Sequence, residues 1–127
     1  DRFCWRGQID RSEKINLLKE IDVFAMPTPV PEAKGIPVIE AMAAGVPVVA
    51  SASGAFPELL GIHETAPAGD VHIPGDITDL ARCLEEMLWN ETRAVDCGMA
   101  GHGRVKKQYQ SHHMAAAHES LYEDVRR

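Results

Sequence analysis

The sequence predicts an α/β protein: a truncated Rossmann-like parallel sheet of about four strands, flanked by helices and followed by C-terminal helices. Three observations predict it. Residues 22–26 and 46–50 are short apolar runs with the near-continuous hydrophobic character of strands buried on both faces. Segments of helical periodicity separate them, joined by short connections, as in a parallel sheet covered on both sides. From Asp76 onward apolar residues recur only at helical spacing.

Taken in order, residues 2–6 are a short candidate strand closed by Gly7. Ser12 is a candidate N-cap for a helix over residues 13–20, with Ile15, Leu18 and Ile21 on one side. The strand at 22–26 runs into residues 27–35, where three prolines exclude helix and interior strand. Pro37 suits the first turn of the next helix, which carries Val38, Ile39 and Met42 and stops at Gly45. The strand at 46–50 is followed by a loop of small residues, 51–54, and a short helix over 57–60. A last strand spans 70–73, with a turn at Pro74 and Gly75. Asp76 caps a helix in which Leu80, Leu84, Met87 and Leu88 share a face; a second helix covers 92–109, loosened by Gly98, Gly101 and Gly103; Ser111 caps a third over 113–125.

The chain of 127 residues is the size of one domain and can bury a core. Formal net charge is −6, and the densest basic run, Arg104, Lys106 and Lys107, reads as a solvated helix face. Nucleic acid is therefore not an expected partner. Three cysteines without a CxxC pair argue against a disulfide framework or a zinc site and favour a reducing, cytoplasmic setting. His112, His113 and His118 lack the i, i+4 spacing that puts two ligands on one helix face, so no metal is expected. The chain opens on Asp1 and not on Met, and it is expected to be an excised domain or an engineered piece. Trp5, Trp89, Tyr109 and Tyr122 read as core or domain-contact residues.

In open parallel sheets ligands bind at the carboxyl ends of the strands. Here those ends are residues 27–35 and 51–54. Glu32 lies in the first loop, Glu40 lies in the following helix, and seven residues separate them. Gly35 and Ile36 sit between, at a helix N-terminus whose free N–H groups and dipole suit a diphosphate. Carboxylates beside such a site can accept hydrogen bonds from sugar and ribose hydroxyls. Spacing alone leaves a plainer alternative open, since an acidic residue early in a helix is itself favoured by the dipole.

The segment Pro27-Thr-Pro-Val-Pro-Glu-Ala-Lys-Gly-Ile-Pro-Val-Ile-Glu-Ala-Met-Ala-Ala-Gly-Val-Pro-Val-Val-Ala-Ser51 resembles the signature of glycosyltransferase family 4, retaining enzymes of the GT-B fold. That pattern is Glu-x7-Glu-Ala-Met-Ala-x-Gly-x-Pro-Val-Val-Ala-Ser, continued as Gly-x-x-Glu. The continuation is matched by Gly54 to Glu58 with one extra residue. The resemblance implies that Glu32 contacts the donor sugar and is the catalytic candidate, and that Glu40 holds the ribose hydroxyls of the nucleotide. It places Gly35 and Ile36 at the donor phosphates, with Ser53 and Gly54 in a loop bordering the donor pocket. The donor would be a UDP- or GDP-linked sugar, with neither cofactor nor metal. Residues 1–127 would be a single partial domain, the C-terminal donor-binding half. Its partner would be the N-terminal acceptor domain of the same parent, and peripheral membrane contact of that parent is compatible with the resemblance.

Two departures stand out. Lys34 occupies a position where many members carry an aromatic residue; it either faces solvent or helps neutralise the diphosphate. The family's first two donor-domain strands, with the Arg and Lys that clamp the diphosphate, are missing. The chain alone is therefore expected to be inactive, and residues 22–26 would form an exposed sheet edge. Two remedies are expected: pairing with residues 2–6, or a homodimer across that edge. The alternative function is a non-catalytic GT-B-like module binding a nucleotide or a partner protein. A receiver-type domain is disfavoured, because Asp22 lies at the wrong end of its strand.

Overall fold

The computed structural model describes residues 2–126. In chain order it contains α1 (Arg11–Glu20), β1 (Phe24–Met26), α2 (Ile36–Ala43), β2 (Val48–Ser51) and α3 (Phe56–Leu60). These are followed by β3 (Gly69–His72), α4 (Ile77–Trp89), α5 (Glu91–Gln108) and α6 (Ser111–Val125). The sheet is parallel, in the order β1-β2-β3, with Phe24 opposite Val48 and Val48 opposite Gly69. Chain order equals spatial order, so each strand pairs with the next one made.

β2 is central and all four of its residues are buried. Its pleat divides the core in two, because successive side chains point to opposite faces. Val48 and Ala50 pack with Val38, Met42, Phe56, Leu60 and Val105 on one face. Val49 packs with Cys83, Met87 and Cys97 on the other. Cys83 takes the inward place expected of Leu88, which is exposed. Burial pushes the Cys83 and Cys97 thiols above their ordinary pKa, which keeps them protonated and unreactive at neutral pH.

Several expectations are corrected. Residues 2–6 form no strand and pair with nothing in the sheet, and Phe3 and Trp5 are exposed. Among the described residues the sheet therefore has three strands, and β1 is an edge. Residues 2–6 leave that edge open, because strand pairing depends on how a segment is placed against its neighbour and not on local sequence alone. α1 starts at Asp10 and not at Ser12: the Asp10 carboxylate accepts the Glu13 N–H while the Glu13 carboxylate accepts the Asp10 N–H. This reciprocal capping satisfies two donors at once. Ser111 lies inside α6, and Gln110 stands at its N-cap. Trp5, Trp89 and Tyr122 are exposed, so they are not core; Tyr109 packs against the core edge.

The α5 glycines do not loosen the helix, which runs unbroken for 18 residues. Gly98 and Gly101 are buried contact points. A Cβ at Gly98 would overlap the Gly45 carbonyl, and one at Gly101 would crowd Met42 and Ala68 at 3.3 Å and 3.2 Å. Small residues here let α5 lie flush on α2. Arg104 is not on a solvated face: it donates to the Leu59 and Glu58 carbonyls and pairs with Glu64, tying α5 to the end of α3. Among the described residues no helix is long and apolar enough to cross a membrane.

Candidate donor site

The loop from β1 to α2 and the loop from β2 to α3 meet at the carboxyl end of the sheet. Backbone contact joins them: Ala55 N–H donates to the Glu32 carbonyl at 2.8 Å. Gly54, at φ 57°, lies so close that a Cβ would collide with Glu32 N and O. Gly35, at φ 61°, is the N-cap of α2. It is buried against Leu59 and Phe56 of α3, where a Cβ would come within 2.5 Å and 3.3 Å. α3 thus acts as a wedge that sets where α2 begins. The hydroxyls of Ser51, which is buried, and Ser53 lie 3.0 Å apart. Of the predicted site residues, Glu32, Lys34, Gly35, Ile36, Ser53 and Gly54 come together here.

Glu32 has a local role that sequence reading did not include. Its Oε1 accepts the backbone N–H groups of Lys34 at 3.1 Å and Gly35 at 3.3 Å. A carboxylate thus sits where the helix N-terminus attracts an anion. These backbone donors, Lys34 first, hold the Glu32 carboxyl below the usual glutamate range. A lowered folded-state pKa adds stability above the unfolded value, and that stability is lost as pH falls through the folded value. The Lys34 and Gly35 amide resonances are expected to titrate together, with a midpoint below the ordinary glutamate value of about 4.3. Glu32→Gln should abolish that titration. A midpoint at or above the ordinary value would remove the assigned cause. Lys34 is exposed, and its side chain makes no ion pair among the described residues; Ile36 is half exposed.

Glu40 lies farther along α2 and faces a different neighbour. Lys14 of α1 donates from Nζ to Glu40 Oε1 at 2.7 Å. Both flank an open groove of about 690 Å³ between α1 and α2, lined also by Ile9, Arg11, Ile15 and Lys19. Lys14 was missed from sequence. The available signal was its place one turn before buried Leu18, on the inward stripe of α1. His72 was missed as well. It is buried at the end of β3, with Nδ1 2.9 Å from the Ile73 carbonyl and Nε2 unpartnered among the described residues.

The model of the family described as glycosyl transferases group 1 matches residues 1–104. A GDP-mannose-dependent monoacylated alpha-(1-6)-phosphatidylinositol monomannoside mannosyltransferase of Corynebacterium glutamicum is 34% identical over 110 residues, 81% of this chain and 28% of that protein. The 2-deoxystreptamine glucosyltransferase of Streptomyces kanamyceticus is 30% identical over 98% of this chain and 31% of its own length. Among solved structures, sucrose-phosphate synthase from Thermosynechococcus elongatus superposes with a TM-score of 0.81. That match has 28% identity and covers 94% of this chain and 29% of that one. The Anabaena HepE protein in complex with UDP gives 0.73 at 24% identity, over 84% of this chain and 29% of that one, a likeness of fold. The chain thus spans about three-tenths of the length of these relatives. With the family model covering most of its length, this chain belongs to the group 1 glycosyl transferases.

Proposed function

We propose that the chain is part of the C-terminal, donor-binding half of a retaining glycosyltransferase. The intact enzyme moves a sugar from a nucleotide-diphosphate donor to a glycan, lipid or small-molecule acceptor held by an N-terminal domain. One observation carries the reading: Glu32 engages the start of α2 at the carboxyl end of a parallel sheet, with the β2–α3 loop closed against it, and Glu40 follows on the same helix. Glu32 Oε2 is the atom assigned to the donor sugar, Glu40 to the ribose hydroxyls, and the start of α2 at Gly35 and Ile36 to the diphosphate, beside Lys34, Ser53 and Gly54. The similar mannosyltransferase of Corynebacterium glutamicum is GDP-mannose-dependent, which supports a nucleotide-linked donor.

The acceptor attacks the face from which the nucleoside diphosphate departs, and the departing phosphate needs concentrated positive charge. Lys34 is the cation beside that point, and Lys14 is already engaged by Glu40. On this reading the chain binds nucleotide weakly and turns nothing over alone. Titration with UDP and GDP, by calorimetry or NMR, tests it. Binding in the millimolar to high micromolar range is expected, roughly tenfold weaker in Glu40→Ala, as loss of a charge-assisted hydrogen bond gives. Equal binding by both proteins would remove the role given to Glu40. Sedimentation of the same sample tests pairing of two chains across the open edge of β1.

A further inference from the structure

We propose that Lys14 is a positioning residue for Glu40: it holds one carboxylate oxygen so that the other meets the vicinal diol of a nucleoside diphosphate. The proposal rests on the reading of Glu40 given above and extends it to a residue of another element.

The geometry assigns the role. Glu40 Oε1 is occupied by Lys14 Nζ at 2.7 Å, while Oε2 accepts no hydrogen bond among the described residues. The two side chains remain 36% and 40% exposed, so a ligand in the groove reaches the pair. A half-exposed ion pair of this kind adds little to stability. Yet the backbone that carries Lys14 is anchored. α1 is fixed at its start by the reciprocal bonds of Asp10 and Glu13, and Leu18, one turn after Lys14, is buried in the core. A stiff mount for a pair with small stabilising value fits orientation better than support.

The chemistry favours a ribose diol. A free glutamate samples several rotamers, and binding must select one. With Oε1 engaged, fewer carboxylate orientations remain to be selected. Oε2 and the remaining lone pair of Oε1 can accept two adjacent hydroxyls. The groove of about 690 Å³ lies within the size range of small-ligand sites.

The test compares UDP with 2′,3′-dideoxy-UDP on the whole chain. Wild type is expected to prefer UDP. Lys14→Met should weaken UDP roughly tenfold while leaving the dideoxy compound unchanged, and Lys14→Arg should recover most of the loss. The thermal midpoint of Lys14→Met should stay near that of wild type. If Lys14→Met weakens both compounds equally, or neither, the positioning role is overturned. Glu40→Ala separates the two readings. If it abolishes the preference and Lys14→Met does not, only Lys14 loses its role. If it leaves the preference intact, the diol assignment of Glu40 itself falls. Absence of any nucleotide binding by wild type overturns both.

Discussion

Gly98→Ala is expected to destabilise the protein by about 1–3 kcal/mol, and Gly103→Ala to stabilise it by about 0.5–1 kcal/mol, although both lie in α5. In an ordinary helix interior, alanine replaces glycine favourably, because the unfolded chain loses freedom it need not lose again. Gly103 follows that rule, since a Cβ there meets nothing within 4 Å. Gly98 reverses it. Its Cβ would overlap the Gly45 carbonyl and lie 3.8 Å from Pro47 Cδ. Backbone cannot rotate aside as a side chain can, so α5 must lift from α2. That lift opens the core around Met42, fully buried beneath the contact. Thermal melts of the two variants should move in opposite directions, Gly98→Ala downward by roughly 5–10 °C. A rise in both would mean that α5 does not rest on α2 as described.

Gly54→Ala is the second large effect, and it should reach the site as well as the fold. Alanine in the left-handed region costs about 1–2 kcal/mol. Gly75 offers the control: its φ is 80°, and a Cβ there meets nothing within 4 Å. Gly75→Ala should therefore show the conformational cost alone. Gly54→Ala adds a collision with the Glu32 backbone, which pushes the β1–α2 loop outward and removes the Ala55 N–H bond to the Glu32 carbonyl. Chemical-shift changes at Lys34 and Gly35 should accompany it and be absent in Gly75→Ala. Nucleotide affinity should fall in Gly54→Ala only. Equal stability loss in the two variants, with unchanged Lys34 and Gly35 shifts, would show that the loops are not coupled.

Local chemistry explains which parts were legible in the sequence. β1, β2, α2 and α4 follow from apolar runs, punctuating prolines and helical spacing, all of which act over a few residues. The failures involve distant partners. Residues 2–6 look like a strand, yet strand formation depends on an adjacent edge. Gly98 looks like a weak point until Gly45, 53 positions earlier in the chain, is found against it. Arg104 looks solvated until the Leu59 carbonyl, 45 positions away, is seen to accept its guanidinium. The candidate site divides the same way. Its motif is contiguous and readable, as are Glu32, Gly35 and Glu40. The engagement of Glu32 by the start of its own helix, and of Glu40 by Lys14 across 26 positions, belongs to tertiary structure.

The packing of α5 on α2 also orders events on the ribosome. Strand pairing proceeds in step with synthesis, because each strand meets the one just before it. The helix bearing Glu40 is different: its principal helical neighbour, α5, emerges some 53 residues later, counting from Gly45 to Gly98. Until then the side of Met42 that Gly101 covers is open, and a nascent chain halted before Glu91 carries a partly uncovered apolar helix. Such a species is the stage at which a chaperone would bind and at which truncated products would aggregate. Packing of the helix that bears Glu40 is thus completed late, by a segment that contributes no residue to the motif itself.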